Sequence, residues 1–377
     1  MDNPAHPSLL AIYIHWPYCA RICPYCDFNV YKQKTDDALL QAIIDDLSEW
    51  RAQTGARQII SVHFGGGTPS LMSGAEIASI LGKIDQLWGL PSAAEIGLEA
   101  NPNNAARLKL DAFKHAGINR LSLGVQSLNE RALKLLGRDH DGAAGMQAIE
   151  AAKARFRSVS ADLIFGWQGQ TQADLTSDLD KMLSLCLDHI STYQLTIEAG
   201  TAFAKAEARG DMKSVNIDRS ADYYEQVCAR LLGSGFDHYE VSNFARQDHR
   251  SQHNLAYWKG YDYLGVGPGA HGRITINGTR YATVAAARPD DYAAEKRSET
   301  EKLSTEDWRD EYLLMGLRIS EGVSATRLEQ LAPSAHILNR AQPFIASGHL
   351  EQTDAYLRVS ALGRPLLNHI TEKLLVG

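Results

Sequence analysis

Six short apolar runs, each followed by a longer stretch of helical periodicity, fill the chain from Leu10 to about Ala245. The runs at 11–15 (AIYIH), 59–64 (IISVHF), 95–99 (EIGLE), 120–125 (RLSLGV), 159–164 (VSADLI) and 190–197 (ISTYQLTI) read as strands. Helices are expected near 36–53, 74–87, 104–115, 129–154 in two pieces, 171–185 and 217–234. Alternation of the two patterns specifies βα units on a parallel sheet, hence an α/β fold. Six units predict an incomplete (β/α)6 barrel, open on one side, rather than a closed eight-fold one.

In such barrels chemistry collects on the loops after the strands. After the first predicted strand comes Cys19-Ala-Arg-Ile-Cys23-Pro-Tyr-Cys26, which holds three of the five cysteines. After the second comes Gly65-Gly66-Gly67-Thr68-Pro69. Glu99 ends the third, Gln126 follows the fourth, Asp162 lies in the fifth, and Thr196 and Glu198 close the sixth. Polar groups thus recur at one rim. The glycine run lacks the lysine of a phosphate-binding loop, which excludes a nucleoside triphosphatase. Taken alone, it is also what a tight turn needs, and Arg138 is also what a helix end attracts.

Three thiolates on one loop form a soft, electron-rich site suited to iron or zinc. Structural zinc sites come as two ligand pairs, and no second pair is present. Cys186 and Cys228 stand alone in apolar patterns and read as small core residues. An odd cysteine count in a chain without a secretory leader argues against a disulfide framework. A four-iron cluster asks for four ligands, so three cysteines leave one iron for another group.

The net charge of −7 and pI near 6 exclude a broad nucleic-acid-binding surface. No apolar run approaches the roughly 20 residues that span a bilayer. With no export signal and free thiols, a cytoplasmic protein is expected, with peripheral membrane contact left open.

C-x3-C-x2-C with Tyr25 before the last cysteine resembles the signature of the radical S-adenosylmethionine (radical SAM) enzymes. The resemblance implies that Cys19, Cys23 and Cys26 hold a [4Fe–4S] cluster whose fourth iron binds S-adenosylmethionine. In that family the reduced cluster splits the sulfonium to a 5′-deoxyadenosyl radical. The glycine run, Glu99 before Asn-Pro, Gly-Val-Gln-Ser at 124–127, Gly137-Arg138 and Asp162-Leu-Ile-Phe-Gly166 are similar to the oxygen-independent coproporphyrinogen III oxidase group. Carried over, Tyr13, Tyr25, Gly66, Gly67, Thr68, Glu99, Gln126, Arg138 and Asp162 would contact S-adenosylmethionine. Thr196 is a further, weaker match.

Beyond residue 236 the pattern changes. His238 to Phe244 reads as extended, and 274–281 (ITINGTRY) as a hairpin, because Asn277-Gly278 supplies a type I′ turn. Residues 304–377 read as helix, helix, helix, a short hairpin at 350–359 and a helix, a smaller and mostly helical domain of winged-helix-like order. Its 7 Lys+Arg against 9 Asp+Glu exclude a phosphate-binding face, so it is expected to cover the open barrel. Ser304 with Glu306 and Asp307 reads as a helix cap. The expected divisions are 1–245 for the barrel, 246–303 for a connecting segment and 304–377 for the helical domain.

Within the group, three features resemble the HemW-type heme chaperones more than the oxidase. Phe28 stands where the oxidase pattern has a further cysteine. The cysteine loop begins at residue 19, without the oxidase's long N-terminal extension. His253-Asn-Leu-Ala-Tyr-Trp258 matches the chaperones' HNxxYW motif. The resemblance implies heme as a ligand, with His253 as its expected iron ligand and His271 and His249 as alternatives. It also implies heme-accepting apoproteins, respiratory ones among the candidates, and a reductant protein as partners. The alternative expectation is radical decarboxylation of coproporphyrinogen III.

Overall fold

The computed structural model describes residues 8–32, 37–103, 106–295 and 298–376. Residues 36, 104 and 105, where two expected helices begin, lie outside them. In chain order the barrel runs β1 (Leu9–Trp16), α1 (Asp37–Thr54), β2 (Gln58–Gly66), α2 (Gly74–Trp88), β3 (Glu95–Ala100), α3 (Ala106–Ala116) and β4 (Arg120–Gln126). It continues with α4 (Glu130–Leu135), α5 (Gly142–Lys153), β5 (Ser158–Phe165), α6 (Gln172–Ser184) and β6 (His189–Gln194). These six strands are parallel neighbours, β1 to β6 in sequence order.

Alternation along the strands sorts the two faces. Leu10, Ile12 and Ile14 of β1, Val62 and Phe64 of β2, and Leu121 and Leu123 of β4 are fully buried, in one core with Leu39, Ile43, Ile80 and Leu175 of the helices. The other face carries Tyr13 and His15, Ser61 and His63, Glu95 and Glu99, Ser122, Ser160 and Asp162. Hydrogen bonds join many of these across the barrel interior. The helices start where local chemistry predicts. Ser73 with Glu76 and Thr171 with Asp174 form reciprocal caps on α2 and α6.

The chain then adds α7 (Ala202–Ala208), α8 (Ile217–Leu232), β7 (Asp237–Glu240), β8 (Asn243–Ala245), α9 (Gln252–Trp258), β9 (Asp262–Val266), β10 (His271–Ile276), β11 (Thr279–Ala285), α10 (Pro289–Glu295) and β12 (Ser298–Lys302). The full sheet has twelve strands in the order β12-β11-β10-β9-β1-β2-β3-β4-β5-β6-β8-β7. Residues 246–303, expected as a connecting segment, therefore build one flank of the sheet. β9 pairs parallel with β1, Ala11 opposite Tyr263. Asn277 and Gly278 join β10 to β11 with φ of 49° and 77°, the left-handed pair a type I′ turn needs.

The C-terminal part comprises α11 (Thr305–Gly316), β13 (Val323–Ser324), α12 (Ala325–Leu331), α13 (Ala335–Ala346), β14 (Leu350–Gln352), β15 (Tyr356–Val359) and α14 (Leu367–Leu375). It has its own core of Leu313, Leu328, Ile337, Leu357 and Ile370. Ser304 and Asp307 cap α11 reciprocally. This domain packs at the N-terminal ends of the barrel strands. Arg318 pairs with Glu240 at 2.8 Å and lies 4.8 Å over the Trp258 ring, and Arg327 donates to the carbonyls of Lys259 and Gly260. Expected to cover the open barrel, the domain makes these contacts at the end away from the cysteine loop. The reading of Cys186 is corrected: it is exposed, at φ 49° in the turn after α6, while Cys228 is half-buried on α8.

Candidate functional site

The cysteine loop leaves β1 at the C-terminal rim and is held by the glycine run beside it. Gly67 N–H donates to the Trp16 carbonyl at 2.7 Å and Thr68 N–H to that of Tyr18 at 2.8 Å. A Cβ on Gly67 would lie 2.7 Å from the Tyr18 carbonyl oxygen, and one on Gly66, at φ 101°, would strike the His15 ring. Only glycine permits this approach. The run therefore serves first to seat the cysteine loop.

Each of two thiols has a donor. Thr68 Oγ1 donates to Cys19 Sγ at 3.4 Å, and Arg138 Nη1 to Cys23 Sγ at 3.2 Å. The bond from Thr68 favours the Cys19 thiolate. Burial works the other way, raising the Cys19 thiol above its ordinary range and pushing that of Cys26 to about 11. Metal would displace these protons. Three soft donors on one loop, each capable of taking a different iron, fit a cluster. Among the described residues no three His, Cys, Asp or Glu side chains converge as a single-ion site.

A cavity of about 360 Å³ opens over the loop. Cys19, Cys23, Tyr25 and Cys26 line one side, with Gly66, Gly67 and Thr68 beside them. Arg138 lines the cavity next to Cys23, and Glu99, Gln126, Asp162, Thr196 and Glu198 complete the lining. Glu99 accepts from His63 Nε2 at 3.2 Å. Arg138 is fixed through Nη2 on the Gly124 carbonyl at 2.7 Å. Asp162 accepts from Ser122 at 3.3 Å, and burial beside Glu99 raises its carboxyl to about 7. Gln126 takes φ 67°, where the register of β4 against β5 shifts. A non-glycine residue in that region carries strain of roughly 1–3 kcal/mol, a feature that gathers at ligand sites. Ser127 anchors the turn by donating to buried Asp178.

Two expected residues are not on the cavity. Tyr13 lies beneath it, its hydroxyl on His15 Nδ1 at 3.2 Å and its ring stacked 6.4 Å from His63. His253 is 1% exposed. Its Nδ1 meets Ser61 Oγ at 2.9 Å and its Nε2 the Tyr257 hydroxyl at 2.7 Å. Both ring nitrogens are engaged and the ring stacks 4.8 Å from His63, so His253 presents no open nitrogen in this structure. The motif instead plugs the barrel. Glu95 Oε1 accepts from Ser251 Oγ and His253 N, and Glu95 Oε2 from Gln252 N, fixing the start of α9. His249 bonds Ser158 at 2.9 Å, and His271 is exposed at the start of β10.

Sequence reasoning missed His63 and Tyr193. Tyr193 lines the cavity wall, 42% exposed. Both occupy inward positions of their strands, His63 two residues before Gly65 and Tyr193 two after Ser191. A period-two count of polar residues would have found them.

Residues 13–182 match the Radical SAM superfamily and residues 303–366 the HemN C-terminal domain. Heme chaperone HemW of Escherichia coli is 33% identical, over 97% of this chain and 98% of that protein. Radical S-adenosyl methionine domain-containing protein 1, mitochondrial, of Danio rerio is 37% identical, over 99% of this chain and 88% of that protein. The solved structure of coproporphyrinogen III oxidase (HemN) from Escherichia coli superposes with a TM-score of 0.81, at 22% identity, over 99% of this chain and 92% of that one; this likeness establishes the fold. The chain belongs to the HemW-type family of radical SAM proteins, relatives of oxygen-independent coproporphyrinogen III oxidase.

Proposed function

We propose that this protein is a heme chaperone that binds heme and hands it to apoproteins, carries a [4Fe–4S] cluster on Cys19, Cys23 and Cys26, and binds S-adenosylmethionine in the adjoining cavity. The observation that supports it best is one cavity joining the three thiols to Glu99, Gln126, Arg138 and Asp162, in a chain with HemW relatives along nearly its whole length. When bound, the cluster supplies one-electron chemistry and an iron with an open position. Arg138 would balance thiolate charge, and Thr68 would donate a hydrogen bond to a cluster thiolate. Glu99 and Asp162 offer acceptors for the amine and hydroxyl groups of the ligand. Phe28, 63% exposed at the cavity mouth, puts an apolar ring where the oxidase pattern has a thiol. A cytoplasmic location, a reductant for the cluster and a heme-accepting apoprotein complete the reading. No helix among the described residues is long and apolar enough to cross a membrane.

The test is anaerobic. The reconstituted protein is mixed with dithionite, S-adenosylmethionine and coproporphyrinogen III, and products are separated by chromatography. In parallel, hemin is titrated and followed at the Soret band. Hemin binding without protoporphyrinogen is expected, and robust decarboxylation would replace the chaperone reading with the oxidase. Cys23→Ser should lose the cluster's iron and brown colour while keeping its far-ultraviolet circular dichroism. A variant with full iron and sulfide would remove the cluster assignment.

A further inference from the structure

A second cavity, of about 840 Å³, lies at the other end of the barrel, between the starts of the strands and the C-terminal domain. Its size falls within the roughly 300–1,000 Å³ of small-molecule sites. It is built from the end of the α9 motif segment, the β10–β11 hairpin, α11 and the β13–α12 turn, so it exists only when both domains are in place.

Its chemistry is specific. Trp308, Tyr312 and Tyr356 supply flat rings, each with an arginine over one face, Arg280 at 4.9 Å, Arg327 at 4.6 Å and Arg358 at 4.9 Å. Lys259, Arg280 and Arg327 supply three cations against the carboxylates of Asp262 and Glu321. Glu321 pairs with Lys259 at 2.7 Å and with Arg250, from outside the lining, at 3.3 Å, and Asp262 pairs with Arg280 at 2.9 Å and with Arg57, also from outside, at 3.1 Å. Arg327 bonds only carbonyls, at 3.0 and 2.9 Å, and lies 4.6 Å over the Tyr312 ring. Among the described residues no carboxylate pairs with it. The cavity therefore presents surplus positive charge next to aromatic faces, which suits a planar anion.

We propose that this cavity, and not the cluster cavity, receives the porphyrin, its carboxylates on Arg327 and Lys259 and its ring against Trp308 and Tyr356. The proposal rests on the heme-chaperone reading and names its site. It also gives the HNxxYW segment a part in heme binding that leaves His253 buried. The helix carrying the motif ends at Trp258, and the residues that follow, Lys259 to Asp262, form the cavity wall.

The experiment titrates hemin, and separately metal-free protoporphyrin IX, into the full chain, reading the Soret band and the quenching of Trp308 emission. Trp308→Phe identifies that residue's share of the fluorescence. Thr326→Trp fills the cavity from an exposed helix position, and Lys259→Glu reverses one charge. Each should weaken both ligands about tenfold or more and leave the cluster's iron content unchanged, while His271→Ala should change nothing. Hemin binding of undiminished affinity in both cavity variants would overturn the site and leave the chaperone reading standing. Loss of binding in His271→Ala alone would move the porphyrin to the opposite rim. Failure of the wild-type chain to bind either porphyrin would overturn both.

Discussion

His63 donates through Nε2 to Glu99 Oε1 at 3.2 Å, and its ring packs against those of Tyr13 and His253, at 6.4 and 4.8 Å, in a three-ring cluster whose third side is 6.2 Å. The cavity carboxylate is thus steered by a cluster of rings inside the barrel. A hydrogen bond to a charged group is worth about 1.5–3 kcal/mol. His63→Ala should therefore weaken S-adenosylmethionine binding roughly tenfold or more, with iron content unchanged, as read by equilibrium dialysis of the reconstituted protein. His63→Gln, which keeps an N–H donor, should recover part of the loss. Wild-type affinity in the alanine variant would separate His63 from the site.

Asp162 should make the metal-free protein less stable at alkaline pH. Its carboxyl titrates near 7 in the fold because of burial and the neighbouring Glu99, against about 3.9 in an unfolded chain. Between those values the folded state holds a proton that the unfolded state has released. Its contribution is therefore complete below about pH 4, falls as pH rises, and is gone above about 7. Asp162→Asn should flatten the profile and raise stability at pH 8 by at most about 4 kcal/mol. Urea unfolding of both proteins at pH 5 and pH 8 measures it, and parallel profiles would remove the assignment.

Asp262 is the hub of a buried ionic network. It accepts from Arg57 Nη1 at 3.1 Å, Arg280 Nη1 at 2.9 Å, and Thr275 N and Oγ1 at 2.7 and 2.8 Å. Removing it strands two buried guanidinium groups, for which a loss of about 3–5 kcal/mol is expected. Asp262→Ala should lower the urea midpoint by far more than Arg209→Ala, which breaks only an exposed pair. Equal midpoints would contradict the network.

His253→Ala should destabilise the protein before any heme is added. It removes two buried hydrogen bonds and a ring stack, so about 2–4 kcal/mol is expected. Thermal unfolding of the apoprotein reads this. An unshifted melting curve would mean that the ring does not hold α9 against β2.

Much of the barrel could be read locally. The runs at 59–64 and 159–164 fall inside β2 and β5, and the breaks near Gly137 and Gly166 fall where helices and strands end. Apolar periodicity and caps act within a few residues, so sequence displays them. β9 escaped because Tyr263 to Val266 is short, glycine-flanked and paired with β1 some 250 residues away. Such pairing leaves no local trace.

For the candidate site, spacing alone put three thiols on one loop and polar groups at the ends of six strands, because the C-terminal rim is fixed by strand direction. The fate of the histidines was decided only in three dimensions. His253 and His63 are 190 positions apart in the chain yet stack at 4.8 Å, and their burial depends on which face of β2 meets α9. Likewise, the second cavity exists only because the C-terminal domain docks at the barrel's lower end. The sequence determined the donor set and the rim. Packing between distant segments decided which donors stay available to a ligand.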